Sequence, residues 1–223
     1  MMDKFRNKYR IETTRLKHWD YGWNAAYFVT ICTKNRKCYF GDITDGKIQL
    51  SDIGLLAKTY WNKIPQHFPF VILDAFVVMP NHIHGIIIIN KSNDNKNDID
   101  IETQNVKTQN LVSLRQIQNV NMQNFVFLRQ IQNIKTQDFA SLRQTQSCKN
   151  KFGSQSKNLA SIIRGFKIGV TKNARKIHSD FGWQTRYYDH IIRNTISFEK
   201  IRAYIINNPT NWGNDKFSNN REL

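Results

Sequence analysis

The stretch from Phe70 to Ile89, FVILDAFVVMPNHIHGIIII, constrains the fold more than any other part of the chain. It is long enough to cross a bilayer, yet Asp74, Pro80, Asn81, His82 and His84 interrupt it, and a lipid-facing helix would have to bury each of them. What remains is two apolar runs, Val71 to Val78 and His84 to Ile89, joined by Met79-Pro80-Asn81. That pattern is expected of two buried, neighbouring antiparallel strands. Strands of this kind need cover from other elements.

Those elements can be read on either side. Tyr27 to Thr33 (YFVTICT) is rich in aromatic and β-branched residues and is expected to form a strand, and Asp45-Gly46 between short runs reads as a hairpin turn. Ser51 or Asp52 can cap a helix with Ile53, Leu56, Ala57, Tyr60 and Ile64 at helical spacing, which Pro65 stops. Further on, Leu159, Ile162, Ile163, Phe166, Val170, Ala174 and Ile177 share one face of a long helix. Trp183 to His190 (WQTRYYDH) is read as the last strand and its exit, and Ser197 begins a helix through Ile201 and Tyr204 that Pro209 ends. The order strand, helix, strand, strand, helix, strand, helix fits an α+β fold. It is a ferredoxin-like antiparallel sheet with helices on one face, followed by a C-terminal helix carrying Tyr204.

One segment differs in character. From about Lys91 to Ser156 the chain is of low complexity, and it holds three consecutive units of fourteen residues, Asn105 to Gln118 (NVKTQNLVSLRQIQ), Asn119 to Gln132 (NVNMQNFVFLRQIQ) and Asn133 to Gln146 (NIKTQDFASLRQTQ). Their apolar positions do not settle into a coiled-coil seam, and the Gln and Asn content suits a flexible or loosely helical insertion. Residues 1–90 and 157–223 are then expected to form one compact domain, with 91–156 inserted into it.

The 223 residues carry 33 Lys and Arg against 17 Asp and Glu, a net charge of +16. A surplus that large repels itself unless a polyanion offsets it, so nucleic acid is the expected partner. Arg164, Lys167, Lys172, Arg175 and Lys176, mostly off the apolar face of the long helix, are candidates for following a phosphate backbone, with Arg186 just beyond. A membrane partner is not expected, because there is no terminal apolar anchor or lipidation signal. Cys32, Cys38 and Cys148 fit neither a disulfide framework nor a zinc ribbon, and Met1 to Phe5 opens no secretory signal, which points to the cytoplasm.

His82-Ile83-His84 is the sharpest chemical signal. In a strand, residues two apart face the same way, so both imidazoles can grip one ion, or simply hydrogen-bond at a strand start. A catalytic divalent ion needs further ligands and open positions for substrate oxygen. Tyr204 and Asn208, four apart on a helix, present a phenol and an amide on one side. Asn208 precedes Pro209 and is either a ligand or a helix cap. A tyrosine beside a metal can act as a nucleophile that conserves phosphodiester energy in a covalent link. Otherwise Tyr204 is an ordinary packing aromatic. Tyr187 and Tyr188 are rival nucleophiles, facing opposite ways as strand neighbours.

Taken together, the blocks Val78-Met79-Pro80-Asn81-His82-Ile83-His84-Gly85, Trp183 to Arg193 (WQTRYYDHIIR) and Tyr204-Ile205-Ile206-Asn207-Asn208-Pro209 resemble the REP-associated tyrosine transposases. These belong to the single-tyrosine branch of the HUH nucleases that mobilise single-strand insertion sequences. The resemblance implies a divalent metal, Mg²⁺ or Mn²⁺, on His82 and His84, with Asn208 where related enzymes place a further ligand. It implies Tyr204 as the nucleophile that nicks single-stranded or hairpin DNA and leaves a 5′-phosphotyrosine and a free 3′-OH. It further implies strand transfer by the reverse step, a bacterial-type, nucleoid-associated cytoplasmic protein, and assembly as monomer or homodimer. The rival reading from another class is a domesticated nucleic-acid-binding regulator that keeps the fold and no longer cuts.

Overall fold

Residues 19–91 and 156–215, with 4–5, 8–9, 15–16 and 217–218, are described by the structure, a computed structural model. In chain order it contains β1 (Ala25–Cys32), β2 (Gly41–Thr44), β3 (Lys47–Leu50), α1 (Asp52–Asn62), α2 (Ile64–His67), β4 (Val71–Val78), β5 (His82–Ile89), α3 (Leu159–Ile177), β6 (Tyr188–Ile192) and α4 (Thr195–Asn207). The central sheet has four strands in the order β4-β5-β1-β6, all antiparallel. With α1 in the first crossover and α3 in the second, this is the ferredoxin-like α+β arrangement expected from the order of elements. The expected hairpin is β2-β3, and Asp45 (φ 52°) and Gly46 (φ 70°) supply its two left-handed turn residues.

Local signals start each long helix. Ser51 Oγ accepts from the Gly54 amide at 3.1 Å ahead of α1, Asn158 and Ser161 cap α3 reciprocally, and Asn194 Oδ1 accepts from the Ser197 amide at 2.7 Å ahead of α4. β1 and β5 run through the middle of the sheet and are buried on both faces. On one face Tyr27, Val29 and Ile31 of β1 and Ile83, Ile87 and Ile89 of β5 meet Leu159, Ile162, Ile163, Phe166 and Val170 of α3 and Trp61 of α1. The opposite face has a smaller cluster, in which Ala26, Ile86, Ile88 and Ile192 meet Phe198 and Ile205 of α4. A bulge between Leu73 and Phe76 shifts the alternation of β4, so that Leu73 and Phe76 both join the first core while Asp74 turns to Arg202 of α4 at 3.1 Å. The two crossover helices thus share one face and the C-terminal helix lies on the other.

Four sequence expectations are corrected. Ser197 does not begin the last helix: α4 starts at Thr195, because Asn194 caps it by accepting from the Ser197 amide. Pro65 does not end a helix at Ile64. It sits in the first turn of the short α2, where its missing N–H costs nothing. Ile177, read as a core position, is 53% exposed because α3 ends there. Trp183 is bridged only to Thr33, and the last strand begins at Tyr188. The Trp183 indole is drawn into the first core, donating to Lys167 O at 3.2 Å and Thr171 Oγ1 at 3.1 Å; the backbone still pairs there, with Gln184 N–H donating to Cys32 O at 2.9 Å, and a bend at 185–186 separates this bridge from the strand.

The repeats at 105–146 lie outside the described residues. The two ends that flank that segment stand close together. Lys91 Nζ donates to Gly22 O at 2.6 Å, and Lys157 O lies 3.5 Å from where a side chain on Gly22 would begin. No helix among the described residues is long and apolar enough to cross a membrane.

Candidate functional site

β5 opens with His82 and His84, whose side chains point to the face shared with α4 and are 0% and 1% exposed. The reason is the two-residue period of the strand. Ile83 goes to the first core, as does the space over Gly85, where an added Cβ would lie 2.3 Å from Trp61 Cζ2. Gly85 therefore leaves room for the Trp61 ring against β5, on the face opposite the histidines.

Each imidazole is fixed by its Nδ1. His82 Nδ1 lies 2.8 Å from Asn81 Oδ1, and because an amide oxygen only accepts, the ring donates there and keeps its lone pair on Nε2. His84 Nδ1 meets Thr30 Oγ1, also at 2.8 Å, from the paired position on β1. The two Nε2 atoms face each other at 3.0 Å. Two ring nitrogens bound at right angles to one ion at about 2.1 Å would be separated by about 3 Å, so the pair is spaced as neighbouring ligands.

Tyr204, on the third turn of α4, brings its hydroxyl to 3.2 Å from His84 Nε2. Burial raises its pKa, the Asp215 carboxylate raises it further, and a hydrogen bond from the Asn208 side chain opposes them, so the group is a phenol at neutral pH. Asn208, one turn on, is 2% exposed and stays in helical geometry (φ −59°, ψ −41°) despite Pro209. Its Nδ2 donates to Asp215 Oδ2 at 3.1 Å, and its buried Oδ1 accepts no hydrogen bond from the described residues.

Beyond Pro209 the chain turns back through a 3-10 turn at Trp212–Asn214 and crosses the site. Asp215 arrives with it, and ligand atoms of His82, His84 and Asp215 all lie within 4.8 Å of one another. Phe217 packs on His82 with ring centroids 4.5 Å apart, held by Asn81 Nδ2 donating to its carbonyl at 2.8 Å. Two imidazoles, a carboxylate and an orphaned buried amide oxygen make a nitrogen and oxygen donor set without thiolate. This set fits a hard or borderline divalent cation.

The sequence-derived candidates thus divide. His82, His84, Tyr204 and Asn208 converge. Tyr187 lies on the other side of the sheet in the first core, hydrogen-bonded to Arg15, with burial pushing its phenol up to about 12. Tyr188 shares the site's face, since it and His84 pair with the same β1 residue, Thr30. The basic set does not approach the histidines, because α3 covers the opposite face. Lys167 is moreover occupied, donating to Gln184 O at 2.8 Å and Arg186 O at 3.0 Å. Arg164, Lys172, Arg175, Lys176 and Arg186 are exposed there, with Arg175 Nε donating to Phe181 O at 3.1 Å. Asp215, Asn81 and Thr30 were not singled out by sequence. The only signal for Asp215 was the turn-rich run Asn-Pro-Thr-Asn-Trp-Gly-Asn-Asp that lets the chain reverse.

No protein-family model matches the chain. A solved structure of a REP-associated tyrosine transposase bound to a REP hairpin is similar with a TM-score of 0.49 over 92% of this chain and 77% of that one, at 16% identity. An uncharacterised protein of Haemophilus influenzae is 36% identical over 203 residues, which span 91% of this chain and 89% of that protein. On that identity and coverage, the chain belongs to the same family as the Haemophilus influenzae protein.

Proposed function

We propose that this chain is a transposase-type enzyme that nicks single-stranded DNA and transfers the cut strand through a 5′-phosphotyrosine on Tyr204. The observation that carries this reading is the meeting of a phenol with a divalent-ion donor set: Tyr204 Oη lies 3.2 Å from the Nε2 of His84, a member of the His82, His84 and Asp215 cluster. His82, His84 and Asp215, with Asn208 Oδ1 beside them, would hold Mg²⁺ or Mn²⁺. When bound, the ion would supply Lewis-acid stabilisation of charge on phosphate oxygen. The proposed domain for this is 1–90 with 157–223, interrupted in sequence by 91–156.

The remaining work falls to the protein's own groups. Thr30 and Asn81 hold the rings so that both Nε2 atoms point into the site. α4 presents the Tyr204 oxygen to a scissile phosphate. Attack forms the Tyr204 Oη–P bond and breaks the P–O3′ bond, with the phenolic proton passing to the departing 3′ oxygen. Strand transfer is the reverse: a 3′-OH forms the new P–O3′ bond and the proton returns to Tyr204. No external energy is needed, because one phosphodiester replaces another. The exposed cations of α3 and Arg186 would engage phosphates of a hairpin stem away from the cut.

The test is incubation of a labelled single-stranded hairpin library with protein and Mn²⁺. A denaturation-resistant adduct is expected with the wild type and none with Tyr204→Phe, while DNA affinity is unchanged. Cleavage that survives Tyr204→Phe would replace tyrosine by water or by Tyr188. Binding without any adduct would make the chain a nucleic-acid-binding regulator.

A further inference from the structure

α4 leaves the β6 edge of the face that carries the histidines uncovered at Tyr188. Its apolar contacts run to Ile86 and Ile88 of β5, Ile192 at the end of β6, and β4. At that edge of the sheet, Tyr188 is 59% exposed and no hydrogen bond among the described residues engages its hydroxyl. Its ring is not isolated. Phe28 lies between it and the site, with centroids 6.3 Å from Tyr188, 6.2 Å from Tyr204 and 5.3 Å from His84. A continuous aromatic surface therefore runs from the sheet edge to the tyrosine and histidine site.

The register sets the scale. Tyr188 and His84 flank Thr30 on either side of β1, two strand spacings apart, or about 10 Å. At the rise of a stacked strand, about 3.4 Å per nucleotide, that is roughly three steps, and fewer if the strand is splayed. An exposed phenol ring presents a π face that any base can stack on, and the net charge of +16 draws the phosphates of such a strand to the chain.

We infer that Tyr188 is a positioning residue: it stacks an unpaired base of single-stranded nucleic acid within about three nucleotides of the phosphate presented to Tyr204. The inference rests on the single-stranded DNA reading above and adds to it where the strand lies. Stacking requires the ring and not the hydroxyl, and it requires an unpaired base, so it distinguishes single strands from duplex.

The experiment measures equilibrium binding of the full chain, in EDTA so that no cutting intervenes, to a fluorescent random-sequence single strand of roughly 16 nucleotides and to its duplex form. Tyr188→Ala is expected to weaken single-strand binding by about 5- to 150-fold and duplex binding little, and Tyr188→Phe and Tyr188→Trp are expected to bind like the wild type. Tyr188→Leu, which keeps an apolar contact for Phe28 without a π face, should behave as Tyr188→Ala does and serves if the alanine variant does not fold. The inference is overturned if Tyr188→Leu binds single strands as tightly as the wild type, or if Tyr188→Phe loses as much as Tyr188→Leu. It is likewise overturned if the substitutions change only sedimentation, which would make the patch a contact between copies of the chain. A wild type that binds no single strand would instead remove the single-stranded DNA reading itself.

Discussion

The two faces of the central sheet are built from the same strands and finished in opposite ways. On the face under α1 and α3 the inward residues of β1 and β5 are uniformly apolar, and the helices close over them with Trp61 laid on Gly85. On the other face a buried pair of imidazoles, an amide and a carboxylate occupy one end, a small apolar cluster holds α4 over the middle, and the edge beside Phe28 is left open. The first face stabilises the fold by apolar packing, and even the Trp61 indole N–H is buried there with no hydrogen-bond partner among the described residues. The second places polar groups where a return of the chain and an open flank can reach them.

The sharpest way to break this comparison is to remove the imidazole pair from the second face. His82→Ala with His84→Ala should abolish the covalent adduct and also the thermal stabilisation by Mn²⁺. In the wild type that stabilisation should reach about 2.7 kcal/mol at a hundredfold excess over Kd. Calorimetry with and without EDTA checks it, and a double variant that still gains stability from Mn²⁺ would place the ion elsewhere. The opposite face answers to packing instead. Gly85→Ala drives a methyl into the Trp61 ring and is expected to cost about 1–3 kcal/mol in a denaturant titration, with the metal response kept. If Gly85→Ala is neutral, the ring is not packed as tightly as its contact with β5 requires.

The smallest effect concerns the edge of the packed face, where burial lowers the Lys167 ammonium from 10.5 to about 8, with Cys32 opposing the shift. The unfolded chain keeps that proton up to about 10.5 and the folded chain releases it near 8. Between those values the unfolded state binds more protons, so stability rises with pH there. Chemical denaturation across that interval should show a positive slope that Lys167→Met reduces. An unchanged slope would mean that the ammonium is hydrated and free to serve DNA.

Much of this arrangement was legible in the sequence because it depends on short periods. The two-residue alternation of β5 put His82 and His84 on one face and Ile83 on the other, and the four-residue spacing on α4 aligned Tyr204 with Asn208. The apolar stripe of α3 held from Leu159 to Ala174 and failed only at Ile177, one turn past the sheet it was expected to cover. Trp183 misled for a related reason. β propensity favoured one strand from Trp183 onward, whereas the pairing with the end of β1 is a single bridge at Trp183, cut off from β6 by a bend at 185–186.

By itself the sequence determined the alternation of β1 and β5, the apolar stripe of α3, the Ser51 cap of α1, and hence the order of elements and the imidazole pair. Tertiary structure alone decided which face each helix covers, that the basic helix lies across the sheet from the histidines, that Tyr188 rather than Tyr187 looks toward them, and that Asp215 returns to complete the donor set. The physical reason is range. Periodicity and capping act over a few residues, whereas the meeting of Asp215 with His82 is set by how connections close around a packed sheet, and no local pattern encodes that.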